Sequence, residues 1–356
     1  MKPTRRQVIA GSAMAMAAKA EIRLPRKVRL GLLDLEGHVG DVLRPLPQLP
    51  DVEVVAIAHP NPAVAQRTVK ANPRLTEARY FNDWRRMLDE ARLDMVSVCT
   101  ANGPRSEAIL ACLDRKMHVM AEKPLALTRP DLDRIRVAAN KAGVKVGTIL
   151  PMRFSPVYLA LRKIVMSGEI GQAINITSQK SYKAGNRPEW MKRMATYGGT
   201  IPWIGIHMID LMRFTSRREM MDAYSYRAQV EPPAGIGEME NTTGSIFRLD
   251  NGGVAMLHMD YCRPESATTH GDDRLRLAGT KGVAEYMAAT GVTLMVEGKK
   301  PEVIGELPEE KQVFIDFVEH VYNGKPTELP FDDIYRANLI TIAAQEAAFK
   351  GVPVRV

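Results

Sequence analysis

Two stretches of this chain hold residues able to move a proton. The first is Ala121-Glu122-Lys123-Pro124-Leu125-Ala126, directly after a short apolar run at 118–121. A lysine at the carboxyl end of a buried strand sits where open α/β sheets bind ligands. Burial would lower its pKa toward neutrality, which suits a general acid or base. The second is Gly198-Gly199 followed by Gly205, His207 and Asp210. His207 and Asp210 stand at i and i+3, on one helix face, and an imidazole there can share a proton or hold a hydroxyl. Both have plainer readings, as an exposed strand-end lysine and as a structural helical His–Asp pair. Lys281, between Thr280 and Gly282, reads as turn chemistry. Cys99, Cys112 and Cys262 form no CxxC pair, and their odd number and wide spacing read as apolar thiols rather than a disulfide framework or a metal site.

The elements that must position these residues fall into two rhythms. Apolar runs at 28–33, 52–58, 95–100, 118–121 and 144–150 are separated by amphipathic stretches at 63–70, 84–91, 105–115 and 129–142. Several of the runs are apolar at nearly every position, as in parallel strands buried on both faces. Strand then helix, repeated, predicts right-handed βαβ units and a doubly wound α/β sheet over 27–150. After residue 150 a helix at 156–167 gives way to strand-like segments at 173–182, 223–230, 244–249, 253–261, 274–277 and 292–296. Asp250-Asn251-Gly252-Gly253 reads as a tight hairpin between two of them. Consecutive strands predict an α+β second domain, 151–356, with a large open, mainly antiparallel sheet, closed by helices near 309–323 and 332–349.

The formal net charge is +8, but Lys2, Arg5, Arg6 and Lys19 supply half of it and no Lys/Arg block follows. That balance excludes a nucleic-acid footprint. Residues 1–20 read as an export signal: Thr4-Arg5-Arg6-Gln7-Val8-Ile9 is a twin-arginine pattern, the apolar run at 8–18 is too short to span a bilayer, and Ala18-Lys19-Ala20 offers a cleavage site. The expected location is periplasmic, or otherwise exported, with no membrane insertion of the mature chain.

Over roughly residues 27–350 the sequence resembles the glucose–fructose oxidoreductase / inositol dehydrogenase / MocA family. Its Glu122-Lys123-Pro124 matches that family's Glu-Lys-Pro motif, and Gly198-Gly199 with Gly205, His207 and Asp210 matches its GG…G-x-H-x-x-D segment. Arg153-Phe154-Ser155-Pro156, Gly168-Glu169-Ile170-Gly171 and Gly279-Thr280-Lys281-Gly282 lend weaker support. The resemblance implies a Rossmann-type nucleotide-binding domain and an NAD(P)-dependent oxidoreductase acting on a sugar, polyol or related carbohydrate. Lys123 and His207 would be catalytic. Trp203, Arg153 and Asp210 would meet the substrate, with Asp210 orienting His207 or its helix. Leu33, Asp34, Glu36, Gly37, His38, Val39, His59, Thr100, Asn102, Glu122 and Lys123 would line an NAD or NADP site, Glu122 at the nicotinamide ribose. No metal is expected. The open face of the second sheet would pair subunits into a homodimer or homotetramer.

The departures from the family pattern are pointed. Where the family carries G-x-G-x-x-G/A after its first strand, this chain reads Gly31-Leu32-Leu33-Asp34-Leu35-Glu36-Gly37-His38-Val39-Gly40, with Asp34 and Glu36 on the first two glycine positions and Val39 on the third. Two carboxylates would then face an anionic pyrophosphate. Like charges ~4 Å apart at an effective dielectric of ~20 repel by about 4 kcal/mol, half of a micromolar binding energy of about 8 kcal/mol. His59 stands where an acid commonly meets the adenosine ribose, Thr100-Ala101-Asn102-Gly103-Pro104-Arg105 replaces T-P-N-x-x-H, and Trp203 replaces the aspartate of a Lys/Asp/His trio. Three accounts remain open: Arg105 or His38 neutralises the acids and the cofactor still binds; the nucleotide site has decayed and the protein binds a sugar without redox chemistry; or Lys123 and His207 drive elimination or hydrolysis of a sugar. An aromatic ring at 203 suits the apolar face of a sugar in each, and equally suits core filling.

The export reading makes a prediction. Residues 1–26 fused to a fluorescent reporter should carry it across the inner membrane of a bacterium with a twin-arginine system. The Arg5→Lys/Arg6→Lys change should leave it in the cytoplasm, as read by fractionation, and equal export of both fusions would refute the assignment.

Overall fold

The computed structural model describes residues 20–356, so the twin-arginine expectation lies outside the described residues. Six strands build the first sheet: β1 (Val28–Leu33), β2 (Val52–Ala58), β3 (Arg79–Phe81), β4 (Met95–Val98), β5 (His118–Ala121) and β6 (Val146–Thr148). Their order is β3-β2-β1-β4-β5-β6 and every pairing is parallel. Helices α1 (Gly40–Leu43), α2 (Pro62–Ala71), α3 (Trp84–Glu90), α4 (Arg105–Asp114) and α5 (Arg129–Ala142) make the crossovers. The order reverses between β1 and β4, and the carboxyl ends there open onto a crevice. β1 and β4 bury nearly every side chain, which is why they read as unbroken apolar runs. β3 escaped the sequence reading because it spans three residues, two of them exposed.

The helix α6 (Pro156–Ser167) leads into β7 (Ala173–Lys183), α7 (Met194–Tyr197) and α8 (Ile206–Ser216), with one π-helical turn at Ile201–Gly205 before α8. Then come β8 (Met220–Ala228), β9 (Thr242–Leu249), β10 (Val254–Arg263), β11 (Gly271–Gly279), β12 (Gly282–Met287), β13 (Gly291–Val296), β14 (Glu302–Val303), α9 (Val313–Tyr322), α10 (Phe331–Lys350) and β15 (Val354–Arg355). These strands form one nine-stranded sheet, β14-β13-β12-β11-β7-β10-β9-β8-β15, antiparallel except for the β7–β10 pair. The hairpin expected at 250–253 joins β9 to β10. The strands alternate buried and exposed residues, so one face packs on α6 and α8 and the other is open.

The chain crosses back after residue 300. Val313, Phe314, Phe317 and Val318 of α9 belong to the core of the first sheet, and the Cα of Gly147 lies so near Phe317 that a Cβ would stand 2.7 Å from its ring. α10 bridges the domains: its Asn338 Oδ1 accepts from the Leu125 N–H, 2.8 Å, two residues past Lys123. The segment 151–356 is therefore not one body, since α9 completes the first domain.

The open sheet face displays Tyr226 (66% exposed), Met221 (45%) and Ile246 (44%), an apolar cluster of the kind that marks interaction surfaces. Light scattering coupled to gel filtration should give at least twice the chain mass, and Ile246→Asp should shift the protein toward one chain. A monomeric parent protein would refute this pairing surface.

Candidate active site

Lys123 follows β5 directly and its side chain enters the seam between the domains with only 1% exposure. Its Nζ donates to the Trp203 carbonyl, in the π turn, where the helical ladder is loosened and a carbonyl is free to face away from it. The same Nζ lies 3.3 Å from the centre of the Trp203 ring, a cation–π contact, and 3.8 Å from Glu122 Oε1. Burial pulls its pKa down to about 7; Glu122 opposes this, while Arg105, Lys180 and Arg187 assist it. An amine near neutrality exchanges a proton at ordinary pH.

Glu122 is wholly buried. Burial alone would raise its pKa, but the charge and hydrogen bond of His38, then Lys123 and Arg105, outweigh it and the carboxyl is held below its usual range. His38 Nδ1 sits 2.7 Å from Glu122 Oε1. Gly37, at φ +64, lets the turn pass over Glu122, where a Cβ would come within 3.0 Å of the carboxylate. His207 projects from α8, its ring centre 6.0 Å from that of His38. Burial, then Lys123, Lys180 and His38, hold its pKa well below the ordinary value, so His207 is neutral. The seam thus brings together Glu122, Lys123, Trp203 and His207.

Aromatic rings cover this cluster. His38 stacks on Trp203 at 5.7 Å, and Trp190 meets Trp203 edge-on at 5.2 Å. The Trp190 Nε1–H donates to Glu36 Oε2, 2.8 Å. Trp190 was missed in the sequence because it lies on a one-turn segment without periodicity. Lys180 was missed too: it is a second fully buried lysine, on the same face of β7 as Ile176 and Ser178, bonded to Tyr182 Oη (2.6 Å) and Asp273 Oδ2 (2.9 Å). The period of two along 176–180 was the available signal.

Three expected roles are corrected. Arg153, read as a substrate contact, is buried and gives Nε and Nη2 to both oxygens of Asp210, with Nη1 2.7 Å from Asp333 Oδ2. Asp210 is accordingly engaged with Arg153 rather than orienting His207, whose Nδ1 has no partner among the described residues. Leu33 is fully buried within β1 and presents no side chain to a cofactor. Asn102 Nδ2 donates to the Tyr197 carbonyl across the seam, 2.6 Å. Val39 only starts α1.

The turn after β1 carries two acids, the first on a left-handed backbone. Asp34 takes φ +64, a left-handed value that glycine meets most easily. Its N–H donates to the Ala58 carbonyl and that of Glu36 to the Cys99 carbonyl, both 2.9 Å, which staples the turn across the ends of β2 and β4. Neither His38 nor Arg105 pairs with the acids among the described residues, although the charge of Arg105 lowers the Asp34 pKa from a distance. His38 serves Glu122, and the buried Arg105 donates to the carbonyls of Thr100, Lys123 and Pro124. His59 faces them instead: its Nε2 lies 3.1 Å from Asp34 Oδ1 and 3.9 Å from Glu36 Oε1. Burial, the largest effect, raises the Asp34 pKa against the pull of the Leu35 N–H and His59.

A nicotinamide dinucleotide can be tested against these atoms. Thr100 Oγ1, Asn102 Oδ1, Glu122 Oε2 and His207 Nδ1 are buried without partners among the described residues, and all belong to segments at the carboxyl ends of β4 and β5 or to α8, where the nicotinamide half would rest. That half fits. The diphosphate half meets Asp34 and Glu36, and needs added positive charge there.

The Rossmann sheet, the open sheet and the lysine at the seam define a nicotinamide-dependent dehydrogenase scaffold. Residues 37–149 match the profile of the oxidoreductase family with an NAD-binding Rossmann fold, and residues 158–285 match the GFO/IDH/MocA C-terminal domain. A solved oxidoreductase from Thermotoga maritima is 30% identical, superimposes with a TM-score of 0.86, and covers 92% of this chain and 100% of its own. The myo-inositol 2-dehydrogenase of the same organism is 25% identical over 333 residues, 90% of this chain and 96% of the relative. The WlbA dehydrogenase of Bordetella pertussis, solved with NADH and UDP-GlcNAcA, shares the fold at 18% identity, with a TM-score of 0.79 over 94% of this chain and 99% of its own. The chain belongs to the Gfo/Idh/MocA oxidoreductase family, an NAD(P)-dependent family whose members act on sugars and polyols.

The Arg153–Asp210 assignment is checked by stability. Arg153→Met leaves a buried carboxylate uncompensated and should cost about 3–5 kcal/mol, seen as a lower unfolding midpoint in calorimetry. Arg153→Met/Asp210→Leu should recover most of it. An unchanged midpoint with a raised KM would restore the substrate role.

Proposed function

We propose that this protein interconverts a secondary alcohol and a ketone on the ring of a sugar or cyclic polyol, with Lys123 as the group that takes or returns the hydroxyl proton. The observation that carries this is the buried Lys123 amine, with its pKa lowered to about 7, beside a neutral His207. When bound, the nicotinamide supplies the hydride acceptor or donor. Everything else falls to the chain. Neutral Lys123 accepts the hydroxyl proton as the carbonyl forms. The ammonium so produced is stabilised by Glu122 and by the Trp203 carbonyl. His207 offers its unpartnered Nδ1 to a substrate hydroxyl, and Lys180, bonded to Asp273, adds positive charge from the sheet side.

The ring-alcohol substrate is supported by relatives named for inositol and by the cluster of buried hydrogen-bonding groups around Lys123. Family membership favours this reading over a redox-inactive sugar binder, a lyase or a hydrolase on the same scaffold. The twin-arginine pattern of residues 4–9 supports a place of action outside the cytoplasm, since that route carries folded, cofactor-loaded proteins. The apolar open face supports a homo-oligomer.

Turnover should vanish in Lys123→Met, by at least about 10²-fold in kcat, while the nicotinamide dinucleotide released on denaturation stays equal to that of the parent. In the oxidation direction kcat/KM should rise with pH through about 7, because protonated Lys123 cannot act as the base. Undiminished turnover in Lys123→Met, or no dinucleotide bound or released by the parent, would overturn the assignment.

A further inference from the structure

The acids that replace the glycines stand beside an imidazole, and the three ligand atoms converge. Asp34, Glu36 and His59 each offer one atom, all within 4.8 Å of one another. Two oxygen or nitrogen ligands of a single ion at about 2.0–2.2 Å lie roughly 3–4.4 Å apart, and the His59 Nε2 distances of 3.1 Å and 3.9 Å to the two carboxylates fall in that range. The sequence contained no metal spacing, since these residues come from the ends of two different strands.

We propose that Asp34, Glu36 and His59 bind a divalent first-row transition ion of the Mn²⁺ or Zn²⁺ type at the mouth of β1 and β2. His59 carries the argument beyond a mere acidic cluster. Its side chain is 6% exposed, and its Nε2 is buried, aimed at both carboxylates and without a hydrogen bond of good geometry. Its Nδ1 lies 3.0 Å from the Asn61 carbonyl and 2.9 Å from the Asn61 backbone nitrogen, which fixes the ring with Nε2 toward the carboxylates; in the tautomer that donates Nδ1–H to the carbonyl, the Nε2 lone pair is free for an ion. The carboxylates are held from outside: Asp34 Oδ1 accepts from the Leu35 N–H at 2.9 Å, and Glu36 Oε2 from Trp190 Nε1 at 2.8 Å. An imidazole ligand selects transition ions over Mg²⁺ and Ca²⁺. Three protein ligands leave positions open, and the side chains of Asp34 and Glu36 keep 20% and 32% exposure to solvent. A bound ion cancels the two negative charges and turns a turn that repels phosphate into one that accepts it. This consequence rests on the nucleotide reading of the cleft, whereas ion binding itself does not.

The test uses the full-length mature chain, stripped with a chelator and dialysed, with no nucleotide present. Mn²⁺ is titrated by loss of its free-ion electron paramagnetic resonance signal, and Zn²⁺ by calorimetry. The expected result is one ion per chain with a Kd of about 10 μM or tighter, weakened at least tenfold in each of Asp34→Asn, Glu36→Gln and His59→Asn, with unchanged circular dichroism. Asp34→Asn keeps a residue that tolerates the left-handed backbone, so loss of binding there is not loss of fold. No saturable binding below about 1 mM, or binding in all three variants as tight as in the parent, overturns the site. Such a failure leaves the hydride-transfer reading intact, because that is judged by dinucleotide release and by Lys123→Met.

Discussion

A lysine ammonium loses its hydration when it is enclosed between two domains, and the seam of this protein is arranged around that loss. Lys123 is 1% exposed, and a bare charge there would be prohibitively costly. The structure answers with a carboxylate at 3.8 Å, a carbonyl released by a π turn and the face of an indole. These are enough to hold the amine in place but not to restore its ordinary basicity, so the pKa settles near 7. The same enclosure keeps His207 neutral and forces Glu122 to recruit His38. One desolvated charge therefore dictates the protonation state of its neighbours.

The scaffold around the seam is held by elements that have no chemistry of their own. Arg153 forms a buried pair with Asp210 of α8, the helix that carries His207. α10 reaches Leu125 just past Lys123, and its Gln345 donates to the Gly198 carbonyl at 3.0 Å. Gly198 and Gly199, at φ +80 and +117, allow that approach; a Cβ on either would collide with Leu127 or Gln345 within 2.4 Å. The paired glycines near His207 thus serve close packing, and through it the placement of the π turn.

The phosphate turn shows how a fold survives a change of chemistry. The turn combines a left-handed backbone at residue 34 and staples to β2 and β4 with carboxylates where the family pattern has glycines. Backbone geometry there is set by the ends of three parallel strands, while charge is set by side chains, and the two vary independently. Trp190 reaches across from the second domain to Glu36, so the altered turn is also tied to the aromatic cover over Lys123.

The sequence by itself determined the two-domain architecture, the parallel and antiparallel sheets, and the presence of a lysine and a histidine fit for proton transfer. These follow from local pattern: runs buried on both faces, alternation along half-buried strands, and motif spacing within single elements. It missed β3, β14 and β15, which span two or three residues, and β12, whose six residues are nearly all half-buried and so show no clean alternation. It gave Arg153 and Asp210 to the substrate because a charged residue beside a motif looks functional until its partner is known. Only the tertiary structure decided that these two neutralise each other, that α9 completes the first core, that Lys180 and Trp190 join the seam, and that His59 meets Asp34 and Glu36. Those outcomes depend on contacts between residues 20 or more apart in the chain, and a contact at that separation leaves no trace in local periodicity.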